Sequence, residues 1–244
     1  MENIFFEIHA GLPREAPGDD AATLQAFRLI KNLPAVPTIL DIGCGPGAQT
    51  IALARHSAAQ ITALDLHQPF LDDLTRRSAA AGLKDRIKTI NASMFELSFD
   101  EPFDVIWSEG AIYIIGFSEG LRAWHPLLKP GGCVAVTELS WIKPDPPDEV
   151  LKYWQADYPG MVSVDQNLAR LRAADYREIG YFILPESAWW DPYYRPMTAK
   201  IAQLRGKYHA DPEAQRLLDI QSLEIEMYRK YSNWYGYVFY VMQA

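Results

Sequence analysis

The chain has 244 residues, 49% of them hydrophobic, with a net charge of −8 and two cysteines. That length fits one large α/β domain or a domain carrying a sizeable insertion, and that apolar content builds a core without covalent staples. Cys44 and Cys133 make neither a disulfide framework nor a zinc pattern, and they suit a reducing cytoplasm. The first residues lack the basic and apolar segments of a signal peptide, and no apolar run approaches the roughly 20 residues of a membrane span. The acidic balance opposes a phosphate backbone as partner and favours a small neutral or cationic molecule over nucleic acid.

Taken in chain order, residues 1–35 read as an N-terminal cap, with a loop at 11–18 and then a helix that Asp19 or Asp20 can cap. Thr38-Ile39-Leu40-Asp41-Ile42 is a short apolar strand that runs into Gly43-Cys44-Gly45-Pro46-Gly47, and a helix follows over residues 49–55. A second strand at 60–64 ends at Asp65. Pro69 suits the first turn of the next helix, which carries Phe70, Leu71 and Leu74 as its stripe and ends at Gly82. Residues 87–90 and 103–107 are the third and fourth strands. Phe117, Leu121, Trp124 and Leu128 recur at helical spacing, and Pro130-Gly131-Gly132 turns the chain into a fifth strand at 133–137.

A helix at 165–174 and a sixth strand at 181–184 follow, and residues 36–184 form the core. An insertion at 185–233 holds the aromatic stretch Trp189, Trp190, Tyr193, Tyr194 and a helical pair at 197–208 and 212–231. The last strand lies within 234–244. Strands spaced by helices imply right-handed crossovers and a doubly wound, Rossmann-like α/β fold. The sheet has seven strands, mostly parallel, with an antiparallel last strand beside the fifth.

In such a sheet, ligands bind beyond the carboxyl ends of the strands where strand order reverses. Gly43, Gly45 and Gly47 let the backbone turn sharply there. Asp65 follows Gly45 by 20 residues, where a carboxylate accepts from vicinal ribose hydroxyls. Residues 43–48 also satisfy the dinucleotide fingerprint, so a nicotinamide cofactor is an alternative. Asp41 immediately before the glycines suits a cationic amino group and disfavours a pyrophosphate. No Tyr-x-x-x-Lys pair occurs in the chain, and the late strand order is that of a different class.

The run from Asp41 to Gly47, Asp65, Phe103-Asp104-Val105-Ile106 and Leu128-Lys129-Pro130-Gly131-Gly132 resembles the class I methyltransferases of the ubiquinone and menaquinone biosynthesis type, the type 11-like group. The resemblance implies S-adenosylmethionine as cofactor, with Gly43, Cys44, Gly45 and Gly47 along the methionine part and Asp41 at its amino group. It further implies Asp65 on the ribose and Leu66 on the adenine. Ser93, beside Met94, stands where an acid usually meets the adenine amine, and Ser108 lines the floor near the sulfonium.

Methyl transfer needs mainly alignment and water exclusion, because the donor carbon is already activated. Glu109 and Tyr113 are the candidates for acceptor contact or proton removal, with His9 a distant third. A cofactor-shell carboxylate and a packing tyrosine are the structural alternatives. Arg14 is either an anion contact or a solvated loop residue. The aromatic stretch of the insertion is either a binding box or an anchor, of which the anchor is preferred. The five histidines show no ligand spacing, so no metal is expected. The expected partner is a small-molecule methyl acceptor, with monomer and homodimer both open. A catalytically silent cofactor-binding protein is the second alternative.

Overall fold

A computed structural model describes residues 2–244, so Met1, the first residue of the expected cap, lies outside them. The elements in chain order are α1 (Glu2–His9), α2 (Asp20–Leu29), β1 (Thr38–Ile42), α3 (Ala48–His56), β2 (Gln60–Asp65), α4 (Gln68–Ala80), β3 (Ile87–Asn91) and β4 (Phe103–Ser108). They continue through α5 (Phe117–Trp124), β5 (Leu128–Trp141), α6 (Asp148–Asp157), β6 (Val162–Ser163), α7 (Val164–Ala173) and β7 (Arg177–Ile183). The remainder is α8 (Glu186–Trp189), a π-helical turn at Trp190–Tyr194, α9 (Arg195–Lys207), α10 (Pro212–Tyr231) and β8 (Tyr235–Gln243).

The strand order is β3-β2-β1-β4-β5-β8-β7, with β6 paired to β5 off that path. β1 pairs parallel to both β2 and β4, and β8 runs antiparallel between β5 and β7. Order therefore reverses between β1 and β4, which opens a crevice beyond their carboxyl ends. Successive strand residues feed opposite cores. Ile39, Val105, Ala135 and Phe239 join one cluster, and their neighbours Leu40, Ile106, Val134 and Val238 the other. Burial on both faces is why these strands read as continuous apolar runs.

Local signals held at several ends. Asp19 is the N-cap of α2, its carboxylate accepting from the Ala22 N–H at 2.7 Å. Pro69 sits in the first turn of α4, and Gly82 closes that helix at φ +70°, its N–H donating to the Ala79 carbonyl. Others differ. Leu128 belongs to β5 and not to the preceding helix. The β4–β5 ladder jumps from Phe103↔Leu128 to Val105↔Cys133, so Pro130-Gly131-Gly132 is a bulge inside one strand, with Gly131 at φ +73°. β7 begins at Arg177, four residues before the expected start. The two-residue β6 makes the sheet eight-stranded, and α1 and α6 are helices beyond those expected.

The insertion is fixed by its rings. Trp189 stacks on Tyr228 at 4.0 Å between centroids and on Tyr237 of β8 at 5.3 Å. Its aromatic stretch thus anchors the insertion to the core, and Trp189 and Tyr193 also line a cavity. α1 packs against α9 and α10, with Glu7 accepting from Lys207 at 2.5 Å and from the Tyr208 hydroxyl at 2.7 Å.

Candidate functional site

The turn after β1 is pinned from below. Gly43 and Cys44 both donate N–H bonds of 2.9 Å to the Leu64 carbonyl of β2. Gly43 has φ +69°, and a Cβ there would stand 2.5 Å from the Ala111 methyl, so only glycine lets β1 and the segment after β4 approach this closely. Asp65 is fixed by two backbone donors: Gly45 N–H reaches Oδ2 and His67 N–H reaches Oδ1, each at 2.9 Å. Each oxygen keeps acceptor capacity for a further hydroxyl.

Above this turn lies a cavity of about 390 Å³. Residues 43–46 and 64–67, residues 92–95, Glu109, Gly110 and Ala111 line it, and residues 14–17 of the cap cover it. Leu66 and Phe95 leave 70% and 61% of their surfaces exposed, which offers apolar area to a flat ring. His67, which also lines the cavity, stacks on Phe6 of α1 at 3.9 Å with the rings nearly parallel. Gly43, Cys44, Gly45, Asp65, Leu66, Ser93, Met94, Glu109 and Tyr113 all line this space.

Three expected residues stand elsewhere, and each has a physical reason. Asp41 is fully buried behind the turn, accepting from the Thr50 hydroxyl at 2.5 Å and from the Gln49 amide at 3.4 Å. Burial raises its carboxyl to about 7. Gln49, one residue the sequence did not single out, takes its place at the wall. Gly47 faces away from the cavity: a Cβ there would lie 2.1 Å from Leu74 Cδ1, so this glycine lets α3 and α4 pack. Ser108 is buried and donates to the Ile42 carbonyl at 2.9 Å, tying β4 to β1.

Glu109 is a committed carboxylate. Oε2 accepts from Arg14 at 2.8 Å, and Oε1 accepts from the Thr23 hydroxyl at 2.7 Å and from the Trp107 indole N–H at 2.9 Å. Arg14 is itself 6% exposed and also donates to Asp20 at 3.2 Å, so it is not a solvated loop residue. Its flanking prolines were the only sequence signal. His9 and Glu15 pair at 2.8 Å and line the same cavity. Burial pushes the Glu15 carboxyl up against the pull of that bond. Tyr113 is half-exposed, and desolvation of its hydroxyl raises its pKa, so it stays protonated at neutral pH. Among the described residues no group of three His, Cys, Asp or Glu side chains is arranged to hold a metal ion.

A second cavity of about 160 Å³ adjoins the first and shares Glu15, Ala16, Pro17, Gly110 and Tyr113 with it. Its far wall comes from α6, the insertion and β8.

An open parallel sheet with this order, an antiparallel β8 and a glycine turn facing an acid at the end of β2 defines the class I methyltransferase architecture. Residues 39–132 match the family described as a methyltransferase domain. It is 32% identical over 137 residues to a malonyl-[acyl-carrier protein] O-methyltransferase of Pseudescherichia vulneris, covering 55% of this chain and 49% of that protein. It is 32% identical over 139 residues to a dimethylglycine N-methyltransferase of Parasynechococcus marenigrum, covering 54% and 50%. The chain thus spans about half the length of these curated relatives. The crystal structure of a SAM-dependent methyltransferase from Thiobacillus denitrificans in complex with S-adenosyl-L-homocysteine superposes with a TM-score of 0.84. It is 24% identical, over 100% of this chain and 99% of that one.

Proposed function

We propose that the chain transfers a methyl group from S-adenosylmethionine to a small-molecule acceptor. The observation that carries this reading is Asp65, held by the Gly45 and His67 N–H groups at the mouth of a 390 Å³ cavity. When bound, the cofactor supplies a methyl carbon made electrophilic by its positive sulfur. Asp65 then accepts from the ribose hydroxyls, Leu66 packs on the adenine, and Ser93 and Met94 close that end. Gly43, Cys44 and Gly45 follow the methionine part. Asp41 supports them through Gln49 in place of a direct contact.

The cap does the rest. Arg14 and Glu109 hold residues 14–17 over the cavity, which excludes water from the reacting centre. Glu109 serves there as a structural anion and not as a base, since three donors occupy it. Tyr113 stands at the junction of the two cavities and orients the acceptor. In this reading residues 36–184 with 234–244 serve the cofactor, and residues 1–35 and 185–233 shape the acceptor site. No helix among the described residues is long and apolar enough to cross a membrane. The reading is completed by a cytoplasmic location, supported by two unpaired buried cysteines, and by the absence of a nucleic-acid partner, supported by the net charge of −8. Monomer and homodimer both accommodate it.

The nicotinamide alternative is disfavoured by the turn itself. The N–H groups of Gly43, Cys44, Gly45 and Gly47 are already donated to Leu64, Leu64, Asp65 and Cys44, which leaves none of these four for a pyrophosphate. Calorimetry tests the proposal. S-adenosylhomocysteine binds, Asp65→Ala weakens it at least tenfold, and NADH does not bind; the reverse preference overturns the reading. Turnover of a labelled methyl donor on a metabolite panel separates an enzyme from a silent binder.

A further inference from the structure

We infer that the methyl acceptor is a small amine, seated in the second cavity with its nitrogen beside Glu15. The inference rests on the methyl-transfer reading and adds the substrate class. Glu15 is the one carboxylate lining both cavities, so it marks where donor and acceptor meet.

The walls beyond it suit a positive charge. Tyr113, Trp154, Tyr158, Trp189, Tyr193 and Tyr237 supply aromatic surface, which attracts a cation by its quadrupole and also packs against N-methyl groups. Three carboxylates, Glu15, Asp157 and Glu224, line the same space, and no Lys, Arg or His does among the described residues. A fourth, Glu138, lies behind Tyr158, whose hydroxyl it accepts at 2.5 Å. An anionic acceptor would enter against all four carboxylates, with no cationic side chain in the cavity wall to meet it.

Unspent hydrogen-bonding capacity points the same way. Glu15 Oε1 is buried and has no hydrogen-bond partner among the described residues, although Oε2 is paired with His9. Trp189, 2% exposed, has its indole N–H unpartnered among them as well, which leaves a donor for an oxygen on the same ligand. Leaving a buried polar atom unpaired is costly, and a ligand that bonds to both groups would offset that cost. Burial raises the carboxyls of Glu15 and Glu224, and an ammonium group beside them offsets that cost.

The chemistry balances. An acceptor arriving as an ammonium ion gives its proton to Glu15, and the freed nitrogen lone pair forms the new N–C bond. The C–S bond breaks with its electron pair going to sulfur. The products are a neutral thioether and an N-methylammonium ion, which Glu224 and Asp157 continue to stabilise.

Calorimetry tests this with tetramethylammonium chloride as a mimic of a methylated product and tert-butanol as its neutral counterpart. S-adenosylhomocysteine is titrated first. Both compounds are then titrated with and without it. Tetramethylammonium is expected to bind at least tenfold more tightly than tert-butanol. That affinity falls at least tenfold in Glu224→Gln, which keeps an acceptor for Tyr194, and at least threefold in Asp157→Asn on the exposed end of α6. In both variants S-adenosylhomocysteine binds within twofold of wild type. Failure of S-adenosylhomocysteine to bind overturns the methyl-transfer reading and this inference with it. Its binding alongside equal affinities for the two compounds, or alongside variants that leave the cation's affinity unchanged, overturns the inference alone.

Discussion

Arg14 and Glu109, 95 positions apart in the chain, meet at 2.8 Å with side chains only 6% and 3% exposed. Removing one member leaves the other charged and buried, a change that costs about 3–5 kcal/mol. Arg14→Ala is therefore expected to lower unfolding free energy by about that much in urea. Adding Glu109→Gln, which removes the orphaned charge, restores part of the loss. A cost below about 1 kcal/mol would place the pair among ordinary surface bridges.

Gly47→Ala tests the packing role of a glycine that lies outside the cavity. The new Cβ meets Leu74 Cδ1 at 2.1 Å in a backbone at φ +80°, so left-handed strain and overpacking add to about 2–5 kcal/mol. Gly11→Ala, at φ +78° with nothing within 4 Å, carries the strain alone and costs about 1–2 kcal/mol. Equal losses in the two variants, measured by denaturation, would remove the Leu74 contact as the cause.

Asp41 gives the protein a pH dependence of definite sign. Its carboxyl is raised by burial to about 7 in the folded state, from an ordinary value of 3.8. Between these values the unfolded chain has lost the proton and the folded chain retains it. Stability contributed below pH 4 is thus lost as pH rises towards 7. Asp41→Asn removes this term, so the wild-type-minus-variant stability should fall by up to about 4 kcal/mol between pH 4 and 7.5. A constant difference across that range contradicts the raised carboxyl.

Tyr113→Phe separates orientation from base catalysis. The hydroxyl stays protonated at neutral pH, so on the proposed reading its contribution is one hydrogen bond to the acceptor. Loss of that bond is expected to lower kcat/KM for the acceptor about tenfold, leaving the cofactor KM and the pH profile unchanged. A profile displaced along the pH axis would identify Tyr113 as the proton acceptor instead.

The stretch from Thr38 to Asp65 was readable in the sequence because its information is local: an apolar strand, glycines at a turn that needs them, and an acid at the next strand end. Residues 103–108 were readable for the same reason. What escaped depends on partners remote in sequence. Nothing near Arg14 announces Glu109, and nothing near Ser108 announces the Ile42 carbonyl. Asp41 looks like a ligand group until Thr50, one turn into the following helix, turns it inward. Gly47 fits a ligand-approach pattern and a helix-packing pattern equally, and only the position of Leu74 distinguishes them. Tyr237 and Glu224 converge on the second cavity from separate elements, which no motif spacing encodes.

β8 is the latest in sequence of the described strands, yet it lies between β5 and β7 and bonds to both. A nascent chain must therefore hold a gap in its sheet until residues 235–243 have been delivered. β7 has no other strand to join before then, and the insertion's Trp189 waits for Tyr237. Synthesis halted before residue 235 would leave two unpaired strand edges, open to other chains as templates for association.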